Sequence, residues 1–328
     1  MSWLLADSST IPEPNWGLML LVAAILGGAL GSWTAVLASR RFRRFLIGDA
    51  HFRRARWNFV ELLLAALLMV LLPAVPWERC VPPTIRAQAL KSEKETIEQH
   101  SDNDPEAADE EMSVDQLERA HPLFQLIAQR PSWWVMGLVF VLAVLSAPIA
   151  EELVFRLLFQ GWLQTLESRS IDHVLRLPKG VVAWVGVAIL FAAIHGRSAD
   201  RLIAPEAVFD QSVRQLATEV LLVAVILGWL RVVRKVRFER LGFRAKRIGS
   251  DSLLGAAWAC VAVGPVLALQ FVLTQVFPNS VVDPFALLPF ALVLGFLYWR
   301  TGRIVPGIVL HMCLNGVSVV GWILLHGT

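Results

Sequence analysis

The chain has 328 residues, 56% hydrophobic and 17% charged, with a formal net charge of +3. Several apolar runs reach the roughly 20 residues that a helix needs to cross a hydrocarbon core, which excludes an ordinary soluble domain. Arginines gather in two short stretches and acids in one long one, a pattern that reports membrane topology and excludes nucleic acid as a partner. The three cysteines, Cys80, Cys260 and Cys313, form neither a disulfide framework nor a paired metal motif.

The expected fold is all-α, a polytopic transmembrane bundle of about eight helices. Asn15 to Ser39 reads as the first span, where Gly27, Gly28 and Gly31 offer a surface for close helix approach. It lacks the basic n-region of a signal peptide and is expected to remain as a helix. Arg40, Arg41, Arg43, Arg44, Arg53, Arg54 and Arg56 follow, and the positive-inside rule puts this loop in the cytoplasm and the N-terminus outside. Trp57 to Trp77 is the second span, with Glu61 near its cytoplasmic end, where snorkelling beside those arginines accounts for it. Glu78 to Arg130 carries twelve Asp or Glu against six Lys or Arg and reads as a partly disordered external loop.

Trp133 to Leu166 is apolar for 34 residues, about 51 Å as helix, against a core of about 30 Å, so a break at Pro148 is expected. Within this run Glu151, Glu152 and Arg156 each carry a charge that costs roughly 3 kcal/mol at mid-bilayer. Glu152 and Arg156 share a helix face, while Glu151 projects about 100° away and stays free. Val181 to His195 is a short span ending in His195. Leu216 to Leu230 is the next, followed by eight Lys or Arg and one Glu between Arg231 and Arg247, a second cytoplasmic loop. Leu253 to Phe277, in which Gln270 reads as a helix contact, Pro284 to Trp299 and Ile304 to Leu325 complete the bundle and leave the C-terminus outside. His311 and Asn315 share a face of the last one.

Two carboxylates, two histidines and an amide on three apolar helices each need a polar partner, and facing one wet cavity is the simplest arrangement. There a glutamate helped by a histidine can take a proton from water, while the other histidine and the amide donate to an oxyanion. EELVFR, FAAIH and HMCLN, in that order on successive apolar segments, resemble the E-E-x-x-x-R, F-x-x-x-H and H-x-x-x-N motifs of the CAAX-protease and bacteriocin-processing (CPBP, or Abi) intramembrane proteases. The stretch LVLGFLYWRTGRIVPGIVLHMCLN is similar to that family's approach to its third motif. The resemblance runs from about Ala147 to Gly321. It implies Glu151 with His195 as water-activating base, Glu152 and Arg156 as a supporting pair, and His311 with Asn315 as oxyanion donors.

By this reading residues 1–77 are an N-terminal two-helix region, 78–131 the acidic loop, and 132–328 a protease core with an inserted two-helix segment at about 198–283. The expected activity is an intramembrane endopeptidase of the plasma (bacterial inner) membrane, acting near the cytoplasmic side on a membrane-associated peptide or lipidated peptide. Its partner is otherwise the lipid bilayer. His195, His311 and Glu151 are also a zinc-type donor set, although H-E-x-x-H is absent, and glutamate-activated water is the preferred scheme. The alternatives are a transporter whose polar path uses the same residues, discriminated by proton-coupled flux without proteolysis, and an inactive peptide-binding scaffold.

Overall fold

A computed structural model describes residues 16–47, 57–90, 121–130, 132–170, 178–195, 203–276 and 283–326. Among them there is no strand, and five helices are long and apolar enough to cross a membrane, with three shorter apolar helices beside them. Together they make a multi-pass membrane bundle of the expected size.

Helix α1 (Trp16–Ala38) lies against α9 (Ile248–Val276). The close approach does not use the expected glycine surface. Gly27 and Gly31 face open space, and a Cβ on Gly28 would only touch Cys260 Sγ at 3.8 Å. The glycine that matters is on the partner helix: a Cβ on Gly264 would stand 3.1 Å from that of Ala29. Ser32 Oγ donates to Cys260 O (3.1 Å) and Trp33 Nε1 to Val261 O (3.2 Å), adding interhelical hydrogen bonds to this seam. The first four arginines form α2 (Arg40–Ile47), where Arg43 Nη1 donates to Val36 O (2.6 Å) and Leu37 O (2.7 Å), capping the carbonyl end of α1. Arg53, Arg54 and Arg56 lie outside the described residues.

Helix α3 (Phe59–Leu71) starts at a capping box in which Asn58 Oδ1 accepts from Val60 N–H (3.0 Å) and Glu61 Oε2 accepts from Asn58 N–H (2.8 Å). Glu61 therefore does not snorkel. It is wholly buried, and its other partners are Trp229 and, from the second arginine-rich loop rather than the one beside it in sequence, Arg234. Short turns at Leu72–Ala74 and Trp77–Cys80 and helix α4 (Pro83–Leu90) follow at the far end; residues 91–120, the middle of the acidic loop, lie outside the described residues. Helix α5 (Pro122–Gln129) then leads into α6, the 36-residue span Trp133–Ser168.

Pro148 does not break α6. Its missing N–H is absorbed by a change of helical register: Phe140–Ser146 and Glu152–Gln160 are π-helical, on either side of Ala147–Glu151. Ala147 N–H donates to Leu142 O, five residues back, so the next donor in that register would be residue 148 to Ala143 O. Proline leaves that carbonyl free, and Asn315 Nδ2 takes it at 2.7 Å. Widened turns of this kind are common at functional sites.

Helices α7 (Val181–Ile194), α8 (Pro205–Val232), α10 (Asp283–Thr301) and α11 (Val305–His326) close the bundle, with α7 packed on α10 and α9 on α11. Chain alternation puts the arginine-rich loops at one end and the 72–90 and 121–132 segments at the other. Between the bundle centre and the arginine end lies a continuous apolar core that includes Leu153, Leu157, Leu222, Ile226, Leu230, Val236 and Leu241.

Candidate active site

The register changes in α6 place two adjacent carboxylates in opposite surroundings. Glu152 is 1% exposed and pairs with Arg156, 0% exposed, at 3.6 Å, an ion pair one helical turn long. The Arg156 guanidinium lies 5.1 Å from the centre of the Phe191 ring, a cation–π contact that offsets part of its desolvation. Gly307 makes room for the pair, because a Cβ there would come within 2.6 Å of Glu152 Oε2. Glu151, in contrast, is 26% exposed and faces a cavity of about 260 Å³.

His195 Nε2 lies 3.6 Å and His311 Nε2 3.7 Å from the same atom, Glu151 Oε2, and His311 Nδ1 lies 3.6 Å from Glu152 Oε1. His311 is thus a bridge between the two carboxylates. His195 and His311 meet at one carboxylate oxygen because α7 is only 14 residues, about 21 Å, and delivers His195 to the middle of the bundle.

Hydrogen-bond partners assign the protons. His195 Nδ1 lies 2.6 Å from Phe191 O, and a carbonyl only accepts, so Nδ1 carries hydrogen and neutral His195 turns an acceptor Nε2 toward Glu151. Phe191 and Phe290 stand edge-on to His311, with ring centres at 6.0 and 5.3 Å. These rings hold the imidazole without competing for its nitrogens.

Glu151, Glu152, Arg156, His195 and His311 therefore stand in one cluster, and Asn315 lies one helical turn beyond His311. Glu151 and His195 line the cavity; His311, Asn315, Glu152 and Arg156 are not among its lining residues. Asn315 spends one amide hydrogen on Ala143 O and keeps the other. Sequence reasoning missed the third wall. Gln215, Thr218 and Glu219 of α8 line the same cavity, with Gln215 Nε2 donating to Glu219 Oε1 at 2.9 Å. Their spacing of three and four residues, a polar face within an apolar span, was the available signal. As for zinc, among the described residues no group of three or more His, Cys, Asp or Glu is arranged to hold a metal ion, so Glu151, His195 and His311 do not meet the fit as they stand.

A carboxylate–histidine cluster that opens to a cavity within a membrane helix bundle has the groups needed to activate water. The model of the family described as Type II CAAX prenyl endopeptidase Rce1-like matches residues 132–238 and 234–317, more than half of the chain. The chain belongs to this family. No curated protein and no solved structure matches it.

Proposed function

We propose that this protein is an intramembrane endopeptidase that hydrolyses a peptide bond of a membrane-associated, CAAX-like or leader-peptide substrate, using water activated by Glu151 and His195. The observation that carries the reading is Glu151 Oε2 flanked by two imidazole Nε2 atoms at 3.6 and 3.7 Å at the wall of a cavity. Both separations exceed a direct hydrogen bond, and a water placed against Glu151 and His195 can donate one hydrogen to each acceptor.

The reaction follows from these positions. Water transfers a proton to the Glu151–His195 pair as its oxygen attacks the carbonyl carbon, and the pair returns that proton to the leaving amine. In the tautomer with hydrogen on Nε2, His311 donates to the oxyanion, and the spare amide hydrogen of Asn315 is the second donor. Glu152 and Arg156 act on the reaction only through His311 and the shape of α6.

The test is cleavage of a membrane-tethered reporter peptide by purified protein in detergent or liposomes. Glu151→Gln and His195→Ala are each expected to abolish product while leaving the fold intact. Undiminished cleavage by either variant would overturn the mechanism.

A further inference from the structure

A groove of about 320 Å³ lies at the arginine end of the bundle, between α1, α2, α9 and α10, and shares no lining residue with the cavity at Glu151. Its walls include Trp33 of α1, Trp258 and Val266 of α9, and Pro289 with Val293 of α10. Among the described residues that line it, Arg43 of α2 alone is charged.

Hydrogen bonds fix this groove in shape. Pro265 has no N–H to give Val261 O, one turn back, and Trp33 Nε1 donates to that carbonyl instead at 3.2 Å. The Trp33 indole is thereby held at the groove, 46% exposed. Trp258 Nε1 donates to Leu46 O (3.1 Å) and Arg300 Nε to Ile47 O (3.3 Å), which fastens α2 to the two helices beside it.

The mouth is cationic. Arg40, Arg43, Arg44 and Ile47 recur at helical spacing on one face of α2, and two of them, Arg43 and Ile47, line the groove. Arg43 is committed to the carbonyls of Val36 and Leu37. Arg40 and Arg44 are exposed, and their guanidinium groups have no partner among the described residues.

Three occupants are poor fits. A peptide at Glu151 has no way through, because Phe290 and Leu294, both 0% exposed, pack with the groove walls on the inner side, where Phe290 stands edge-on to His311 at 5.3 Å. Residues 48–56, which follow α2 in the chain, carry Phe52 as their single large apolar residue. A neighbouring helix, at least about 10 Å across, is too wide for a volume at the lower end of ligand pockets, about 300–1,000 Å³. One hydrocarbon chain fits: from Trp258 to Val266 the α9 wall gives it about 12 Å of apolar surface. The free guanidiniums at the mouth call for a phosphate.

We propose that this groove binds an anionic phospholipid of the leaflet at the arginine end, with one acyl chain against α1, α9 and α10 and the phosphate on Arg40 and Arg44. By the positive-inside rule that leaflet is cytoplasmic, where anionic lipids attract Lys and Arg near the surface. Two such arginines favour an anionic over a zwitterionic headgroup by about 30-fold.

The test is lipid binding by the purified full chain in detergent, read by native mass spectrometry with phosphatidylglycerol and phosphatidylcholine of identical acyl chains. Wild-type protein is expected to hold one phosphatidylglycerol about 30-fold more tightly than phosphatidylcholine. Arg40→Gln combined with Arg44→Gln should remove that preference and leave the lipid-free melting temperature unchanged. Val36→Phe, which narrows the groove, should weaken both lipids. Equal binding of the two lipids by wild type, or a preference that survives in the double arginine variant, overturns the proposal. Undiminished binding by folded Val36→Phe puts the lipid elsewhere and overturns it as well. One-for-one displacement of phosphatidylglycerol by a farnesylated peptide would give the groove to substrate instead. Binding is read without turnover, so failure here and failure of the hydrolase reading are separate results.

Discussion

Two carboxylate–arginine pairs lie at different levels of the bundle and are built differently. At the arginine end, Glu61 is saturated: Oε1 accepts from Trp229 Nε1 (3.0 Å) and Arg234 Nε, and Oε2 from Asn58 N–H (2.8 Å) and Arg234 Nη2 (3.1 Å). At the centre, Glu152 and Arg156 face each other at 3.6 Å, and neither Glu152 oxygen nor any Arg156 nitrogen has a hydrogen bond within the protein. A saturated carboxylate has no lone pair left for chemistry and serves to hold a helix start to a loop. The central pair keeps its polar atoms within reach of His311 and, through it, of Glu151.

The largest break in this comparison should come from the residue that the central pair supports. Glu151→Gln is expected to lower cleavage by about 10²- to 10⁴-fold, the usual worth of a general base, with an unchanged melting temperature. A comparable loss of folding would mean that Glu151 is structural. Next, Arg156→Met leaves Glu152 buried and unpaired, and should cost about 3–5 kcal/mol in unfolding assays. Adding Glu152→Gln to it should recover most of that loss in stability but not the activity. Recovery of cleavage in the double variant would remove the pair from the mechanism.

At the saturated end, Glu61→Gln should destabilise by about 2–3 kcal/mol, less than the central break because the Arg234 side chain is 30% exposed. The surviving protein should cleave normally, as measured by turnover per folded molecule. Asn315→Leu strips Ala143 O of its donor and should cost about 1–3 kcal/mol. Pro148→Ala in the same background should restore part of it by returning a backbone N–H, which a double-mutant cycle would measure.

The smallest effect is expected at the Glu78–Arg214 pair. The Arg214 guanidinium hydrogen-bonded to Glu78 holds that carboxyl below its ordinary value of 4.5. A depressed carboxyl stabilises the fold above its unfolded value, and the contribution is lost as pH falls through the folded one. Acidification below about pH 4.5 should therefore weaken this pair, seen as a fall in melting temperature. Glu78→Gln should make that fall smaller across the same window.

Much of this architecture was legible in the residues. Apolar run length marks the spans, since the bilayer sets a minimum length for a helix. Glu152 with Arg156 as a partner pair followed from four-residue spacing, and Glu151 as the free acid followed from its different face. Pro148 misled because its local rule assumes an α-helical ladder, and the carbonyl that the π register leaves free is taken by Asn315, 172 residues from Ala143. Glu61 misled in the same way: its neighbours in sequence are arginines, but its partner is Arg234, brought close by the packing of α3 on α8.

By itself the sequence determined a multi-pass helix bundle, the ordered motif trio and the identity of the polar residues within it, because helical period and the cost of charge in lipid act locally. Only the tertiary structure decided which of those residues share a cavity. It set Glu151 and His195 at the cavity wall with His311 Nε2 3.7 Å from Glu151 Oε2, and it added Gln215, Thr218 and Glu219 from α8. These depend on contacts between helices far apart in the chain, where the depth and rotation of each helix follow from how its neighbours pack.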